Sequence, residues 1–318
     1  MRKSREKNFV SIIVPAKNEG QLIGACLNSL ILQSYPKHLY EIIVADNNST
    51  DETEEIAKKY HVILVKADGH VGAVRNSGAQ SAKGDVLAFI DADCVAPPDW
   101  LNRCVNLLHG SNNTVYGGGV KNPLSANWIE KCWILENENH PNLPKELIGA
   151  NICLKKRQFL SAGGFNEHVT SGEDTELSLS LKKMGLKVEI SPLLNVTHMG
   201  NAKTIKEFVT RQMWHAENYL ENFKHSIRDP MFILIIAFLL STIGCLILCI
   251  FLSPLLILAI LITGILPLLL TFKRLLRSGI AYPGLETITK CYALDFLYLI
   301  GRACGVVKSF FTKMHLKP

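Results

Sequence analysis

Asp91 and Asp93 stand one residue apart, where the apolar run Val86-Leu87-Ala88-Phe89-Ile90 gives way to polar chain. Side chains at i and i+2 of an extended segment point the same way, so the two carboxylates lie side by side. Such a pair repels itself, and burial sharpens the repulsion. A bound cation or a cluster of donors relieves it. Hard carboxylate oxygens suit Mg2+ or Mn2+, ions that commonly hold substrate phosphates. The competing reading is a solvated turn after a strand, and a lone Asp-x-Asp does not separate the two.

The elements around the pair favour the first reading. Apolar, β-branched runs predict strands over residues 9–14, 41–45, 62–65 and 86–90, with Pro15 ending the first. Helical spacing covers 21–33 through Leu22, Ile23, Cys26, Leu27 and Leu30. Ser49 or Thr50 is placed to cap a helix running to Tyr60, with Asp51, Glu52, Glu54 and Glu55 in its early turns. Residues 71–82 make the next helix. This alternation predicts an α/β fold, a doubly wound, mainly parallel sheet with helices on both faces. Ligands of such sheets sit beyond the carboxyl ends of the strands. Residues 15–19, 46–51 and 91–93 all fall at those ends. A nucleotide-binding oxidoreductase on the same sheet would need Gly-x-Gly-x-x-Gly after the first strand, where Pro15-Ala16-Lys17-Asn18-Glu19-Gly20 stands instead.

In order along the chain come Pro15-Ala16-Lys17-Asn18-Glu19, Asp46-Asn47-Asn48-Ser49-Thr50-Asp51, Arg75-Asn76-Ser77-Gly78 and Asp91-Ala92-Asp93, then Gly163-Gly164-Phe165 and Gly172-Glu173-Asp174. This order resembles the family 2 nucleotide-sugar glycosyltransferases, which have the GT-A fold, and the likeness covers roughly residues 8–220. The resemblance implies transfer of a sugar from a nucleotide sugar, in which a Mn2+ or Mg2+ ion offsets the charge growing on the departing diphosphate. Asp93 would be the direct metal ligand, with Asp91 reaching the ribose or the metal's water. Pro15, Ala16, Asn18, Glu19 and Asp46 would line the nucleotide. Arg75 would contact the diphosphate or position Asp91, against the alternative of a surface ion pair. Asp174 matches the family's catalytic acid pair and would be the base, with Glu173 supporting geometry; by position alone Asp174 caps a helix over 175–184. A base-assisted in-line attack implies inversion at the anomeric carbon. His198 would complete the metal site, or be a polar residue with an ordinary partner. Arg211-Gln212-Met213-Trp214-His215 is similar to the Gln-x-x-Arg-Trp segment of processive family 2 synthases, but His215 stands for Arg and Ala216 for Trp. Trp214 is then an acceptor contact or an interfacial anchor.

The rest of the chain points to a membrane. No residue from Pro230 to Phe272 is charged, a stretch of 43 residues. As helix it would be roughly 64 Å long, about twice a ~30 Å hydrocarbon core, so it predicts two passes, 231–252 and 255–272, turning at Ser253-Pro254. Residues 1–230 carry 26 basic and 26 acidic side chains, whereas 231–318 carry 8 and 2 and supply the whole net charge of +6. Lys224 and Arg228 precede the first pass, and Lys273, Arg274 and Arg277 follow the second, so both ends of the hairpin read as cytoplasmic. The basic tail suits anionic membrane lipid and lacks the interleaved aromatic pattern of a nucleic-acid binder. Residues 288–311 contain Lys290, Asp295, Arg302 and Lys308 and predict an interfacial helix or one docked on the catalytic domain. The basic start at 1–7 is followed by too short an apolar run for a signal peptide. Nine scattered cysteines without Cys-x-x-Cys read as reduced thiols.

The expected organisation is a GT-A catalytic domain over 1–225, a transmembrane hairpin over 226–275 and an amphipathic segment over 276–318. The expected activity is metal-dependent, inverting transfer from a nucleotide-sugar donor, a UDP-sugar first, to a lipid-linked or glycan acceptor at the cytoplasmic face of the cell membrane, in envelope polysaccharide or glycolipid synthesis. The alternative is a catalytically inactive membrane partner on the same fold, against which the intact Asp91, Asp93 and Asp174 argue.

Overall fold

The computed structural model describes residues 8–137, 143–220, 223–251 and 254–315. The basic residues 1–7, the Lys224 side chain and Ser253 at the expected turn lie outside that description. In chain order the first elements are β1 (Val10–Ala16), α1 (Ile23–Ile31), β2 (Tyr40–Asp46), α2 (Thr53–Ala57), β3 (Ile63–Lys66), α3 (Val71–Ser81), β4 (Val86–Ile90), β5 (Cys94–Val95) and α4 (Trp100–Gly110). Then come β6 (Thr114–Gly117), β7 (Val120–Lys121), α5 (Trp128–Trp133), β8 (Asn151–Lys155), α6 (Lys156–Ser161), α7 (Glu173–Lys183), β9 (Lys187–Ile190) and β10 (Val196–His198). The last are helices: α8 (Ile205–Ala216), α9 (Phe223–Ser226), α10 (Pro230–Ile250), α11 (Leu256–Arg277) and α12 (Leu285–His315). The chain forms two compact units, residues 1–123 with 143–200, and 124–142 with 201–318. The expected boundary at 225 therefore falls inside the second unit.

The first unit is built on a seven-stranded sheet in the order β3-β2-β1-β4-β8-β6-β9. All neighbours are parallel except β8, which runs against both β4 and β6. Continuous apolar strands follow from burial on both faces. On one face Ile12, Val14 and Ile90 pack with Leu27 of α1 and Trp100 of α4. On the other, Ile13, Leu87 and Phe89 pack with Phe159 of α6, Phe165 and Leu181 of α7. Each large apolar side chain so buried contributes roughly 1.5–3 kcal/mol. Gly78 lets α3 lie close to the sheet, since a Cβ there would stand 2.6 Å from Ile13 Cγ2. A second, three-stranded sheet, β5-β10-β7, follows Asp93.

Three local expectations shift. β1 continues through Pro15, which pairs with Ala45, rather than ending there. The β4 pairing stops at Ile13, and beyond a neighbouring strand's end the missing proline N–H is tolerated. α2 is short, and neither Ser49 nor Thr50 caps it; Asp51 accepts from the Thr53 N–H at 3.0 Å instead. After Ala57 the chain tightens into i→i−3 bonds at Lys59 and Tyr60. α7 begins at Glu173, two residues early, because Gly172 adopts φ +86° at its N-cap and starts the helix without a side-chain cap.

In the second unit, α12 is the central helix. Its buried residues Cys291, Leu294, Tyr298, Leu299 and Val306 pack with Phe208 of α8, Phe232, Ile235 and Phe238 of α10, and Leu270 and Leu275 of α11. Two of its charges, Asp295 and Arg302, are placed inside the unit. Asp295 is fully buried, paired with Arg274 and accepting from Thr271 Oγ1 at 2.7 Å. Arg302 donates to Gln212 Oε1 at 3.2 Å and the His215 carbonyl at 3.1 Å, with its guanidinium over the Tyr298 ring. Gly301 and Gly305 bring α12 against α8: a Cβ at Gly305 would lie 2.3 Å from the Met213 carbonyl oxygen. α10 and α11 are each long and apolar enough to cross a membrane, and only 11% and 22% of their apolar windows are buried within the protein, unlike a soluble core helix.

The glycine contact yields a direct expectation. Gly305→Val should separate α12 from α8 and cost about 1–3 kcal/mol. A lowered thermal midpoint of the detergent-purified protein would register it; an unchanged midpoint would mean that the two helices are not held at that distance.

Candidate active site

The site forms at the carboxyl ends of β1, β2 and β4 in the first unit. Parallel register sets Ala16 beside Asp46, and the Asn47 N–H donates to the Ala16 carbonyl at 2.8 Å. The loops after β1 and β2 are then stitched together. Asn18 N–H donates to Ser49 Oγ at 2.9 Å, Thr50 N–H to Asn18 Oδ1 at 2.8 Å, Glu19 N–H to Thr53 Oγ1 at 2.7 Å and Gly20 N–H to Asp51 Oδ2 at 2.9 Å. Ser49 and Thr50, expected as caps, serve this seam. Asn18 and Asn48 sit at φ +56° and +51°, the left-handed region that asparagine tolerates better than most residues. Pro15 and Ala16 are buried as the last residues of β1, with Asn18 and Glu19 in the loop beyond.

Asp46 is fully buried at the tip of β2. Its Oδ2 accepts from Lys66 Nζ at 2.9 Å and from Ser49 N–H at 3.4 Å, while Oδ1 has no partner among the described residues. A buried acceptor left unsatisfied costs about 1–3 kcal/mol, and a ligand donor would recover it.

Arg75, on α3, is the centre of the charge network. Its side chain is only 4% exposed, which removes the surface ion-pair reading. One guanidinium nitrogen meets Asp91 Oδ1 at 2.6 Å and another meets Glu173 Oε1 at 2.5 Å. Burial works to lower the Arg75 pKa, but Asp91 and Glu173 outweigh it and the pKa is raised. Burial pushes the Glu173 carboxyl up, opposed by Arg75 and reinforced by Asp174. Asp174 stays at the second position of α7, where its Oδ1 accepts from Thr175 N–H at 2.7 Å and its Oδ2 from Gly149 N–H at 3.0 Å. It is therefore not the helix cap. Gly149 also makes room for the guanidinium, since a Cβ there would stand 2.3 Å from it.

Asp93 faces the second sheet. His198 pairs with Cys94 across β10 and β5, which brings its Nε2 to 3.4 Å from Asp93 Oδ2. Ligand atoms of Asp93, Cys94 and His198 lie within 4.8 Å of one another. Cys94 is buried, and desolvation followed by the charges of Asp93 and Asp91 raises its pKa well above the ordinary thiol value. Asp93 offers a hard carboxylate oxygen and His198 an imidazole nitrogen, groups that could hold a divalent cation. Gly200 closes this corner: a Cβ there would fall 2.0 Å from Asp93 Oδ2.

Of the expected site residues, Asp91, Arg75 and Glu173 form one ion network, with Asp174 beside it through Gly149. Asp93 and His198 form a pair, and Asp46 lies at the carboxyl end of β2 with its own lysine. Asp91 meets Arg75 rather than His198. Gly149 and Gly200 were missed; a lone glycine in a loop carries no sequence signal of what its missing Cβ would strike. In the second unit, Gln212 is buried on Arg302, and burial, then Arg302 and Arg211, push His215 down to about 3, so its imidazole is neutral. Trp214 is 44% exposed beside His215.

The mainly parallel sheet, with β8 antiparallel within it and helices on both faces, matches the GT-A fold. A mannosyltransferase from Pyrobaculum calidifontis, solved with GDP-Man and Mn2+, shares that fold at a TM-score of 0.60 and 18% identity, over 97% of this chain and 89% of that one. The family model described as Glycosyl transferase family 2 matches residues 11–154, and Glycosyl transferase family group 2 matches residues 86–275, more than half of the chain. The chain belongs to the family 2 glycosyltransferases. It is 34% identical over 178 residues to the glycosyltransferase AglE of Haloferax volcanii, covering 52% of this chain and 59% of that relative. It is 25% identical over 229 residues to a dolichyl N-acetyl-alpha-D-glucosaminyl phosphate 3-beta-D-2,3-diacetamido-2,3-dideoxy-beta-D-glucuronosyltransferase of Methanococcus voltae, covering 64% of this chain and 70% of that one. The chain thus spans little more than half the length of the Haloferax relative.

Arg75→Met should leave the buried Glu173 and the half-buried Asp91 without their cation and cost about 3–5 kcal/mol. Urea unfolding monitored across the variant series Arg75→Met, Glu173→Gln and the double mutant tests this: a double mutant no better than the sum of the singles would mean that the two side chains are energetically uncoupled.

Proposed function

We propose that this chain is a metal-dependent, inverting glycosyltransferase that moves a sugar from a nucleotide sugar, a UDP-sugar first, to a lipid-linked acceptor at the cytoplasmic face of a membrane. The observation that carries the reading is the Arg75 bridge, which ties the Asp-x-Asp strand end to the acid pair of α7. Donor and base functions are thereby held on one rigid frame.

In this reading Pro15, Ala16, Asn18 and Glu19 line the nucleotide, and the unpartnered Asp46 Oδ1 accepts from its base. Asp93 and His198 would hold the cation. A carboxylate with an imidazole is a mixed set that suits Mn2+ better than the oxygen-preferring Mg2+. When bound, the ion would offset charge on the leaving diphosphate as a Lewis acid. Asp91, held by Arg75, orients the ribose side of the donor. Asp174 takes the proton from the acceptor hydroxyl as that oxygen attacks the anomeric carbon from the face opposite the diphosphate, so the configuration inverts. Its hydrogen bonds from Gly149 and Thr175 fix the carboxylate's direction. Glu173 keeps Arg75 in place and stays out of proton transfer. The two apolar helices α10 and α11 would span the bilayer as a hairpin, and the basic residues at both ends support a cytoplasmic side for the first unit. A relative named for a dolichyl-linked substrate supports the lipid acceptor.

Thermal stability of the detergent-purified protein against UDP-, GDP- and dTDP-sugars, with and without Mn2+, tests the donor site. A ligand at a hundred times its Kd adds about 2.7 kcal/mol to the folded state. One nucleotide class should raise the midpoint only with Mn2+, and Asp93→Ala should abolish the rise. Asp174→Asn should keep the rise yet lose about 10²–10⁴-fold in transfer. No shift with any donor in the folded native chain would sink the transferase reading in favour of an inactive partner protein.

A further inference from the structure

We propose that a basic pocket at the amino end of β4, opposite the strand ends that carry Asp91 and Asp93, binds a small soluble phosphate monoester. The pocket lies wholly in the first unit and does not depend on the transferase reading.

Its volume is about 500 Å³, inside the ~300–1,000 Å³ range of small-molecule sites. Asp85, Asn112, Lys155, Lys156 and Arg157 line it, and the exposed Leu160 gives it an apolar edge. Sheet register separates it from the acids. Val86 at the start of β4 pairs with Lys155 at the end of β8, and Ile90 at the end of β4 pairs with Asn151 at the start of β8. From Val86 to Asp91 the strand covers roughly 17 Å, at ~3.3 Å per residue. The pocket and the Asp-x-Asp pair therefore stand at opposite ends of the same two strands.

The walls are held by buried polar groups. Gln158, only 5% exposed, accepts from the Lys155 N–H at 3.0 Å and donates to the Asn112 carbonyl at 3.2 Å. The Lys156 N–H donates to the Asp85 carbonyl at 2.8 Å. The turn before β4 is fixed in its place: the Gly84 N–H donates to Ser11 Oγ at 2.8 Å, and a Cβ at Gly84 would stand 2.6 Å from the Ser11 nitrogen.

Charge selects the ligand. Lys155 Nζ donates to Asn112 Oδ1, and Lys156 Nζ to the Ala82 carbonyl at 2.6 Å; both acceptors are neutral. Among the described residues none of Lys155, Lys156 and Arg157 makes an ion pair. Burial, then the Arg157 charge, lowers the Lys155 pKa from its ordinary value, the direction for a cation crowded by another. Three positive charges against the one carboxylate of Asp85 leave an excess of two. A phosphate monoester carries about −1.5 to −2 near pH 7 and three strong acceptor oxygens, which matches that excess. A carboxylate or a sulfate ester carries only a single charge. Leu160 is available to the organic part. Basic residues that meet an anionic lipid surface reach outward to it. Here both lysines turn back onto neighbouring chain and leave a recess, the shape that suits a soluble molecule.

The probe is phenyl phosphate, which brings the dianion without a nucleotide base. It is titrated calorimetrically into the full detergent-purified chain in EDTA, and the site is located by hydrogen exchange read by mass spectrometry. Exchange should slow in peptides covering 82–86, 109–113 and 155–160 and stay unchanged over 91–95. Phenyl sulfate, with one charge, should bind about tenfold more weakly. Arg157→Glu, at an exposed position, should raise the Kd for phenyl phosphate by about tenfold. Lys155→Gln, which keeps a donor for Asn112 and removes the charge, should weaken binding in the same direction. Lys131→Glu, the same charge reversal at an exposed position of the second unit, should leave the Kd unchanged. Asp93→Ala should also bind phenyl phosphate normally, and Arg157→Glu should keep any Mn2+-dependent stabilisation by a nucleotide sugar, so the two sites fail separately. Four results would each overturn the proposal: no binding, equal binding of sulfate and phosphate, protection that moves to 91–95 or is lost in Asp93→Ala, or protection by phosphatidic acid vesicles without any by phenyl phosphate.

Discussion

Arg75 is the constraint on which the first unit's chemistry depends. Moving a cation and two carboxylates out of water costs several kcal/mol per ion unless the geometry is close and the charges are matched. Here one guanidinium meets two carboxylates at 2.6 and 2.5 Å, from elements far apart in sequence. The fork shape of arginine lets one side chain hold two directions at once, which lysine would not do. The network is therefore a positioning device more than a source of stability. It sets Asp91 at the end of β4 relative to the start of α7, where Asp174 sits.

Close backbone approach makes that device possible. Gly149 leaves space for the guanidinium, and its N–H orients Asp174. Gly200 leaves space for the Asp93 carboxylate opposite His198. At each place a methyl group would occupy the position of a charged oxygen or nitrogen. The same logic recurs in the second unit, where Gly301 and Gly305 let α12 lie on α8 while Arg302 finds its acceptors on that helix. Charges that disqualify α12 as a simple span are thus absorbed by packing: Asp295 by Arg274 and Thr271, Arg302 by Gln212 and aromatic faces.

Much of this was legible in the residue order. Continuous apolar, β-branched runs and their spacing predict the parallel strands, because a strand buried on both faces must be apolar throughout. The acids at strand ends stood out for the same reason, since nothing in a buried strand explains them. The long uncharged stretch after Asp229 marked two helices, bounded only by its length. Boundaries were read less well. Pro15 did not stop β1 because its neighbour on one side had already ended, and that is a property of the sheet and not of proline. Asp174 did not cap α7 because Gly172 opened the helix earlier in a left-handed conformation.

The sequence by itself determined which chemical groups exist and roughly where each strand delivers them: the Asp-x-Asp pair, the acid pair and the arginine. Only the tertiary structure decided how they combine. It sent Asp91 to Arg75 and Asp93 to His198, ran β8 antiparallel through the middle of the sheet, and packed Ile129 and Cys132 of α5 with the helices. Local propensity and periodicity act over a turn or a strand. Pairing between residues about a hundred positions apart depends on which backbones come close enough to exclude water, and no local pattern encodes that distance.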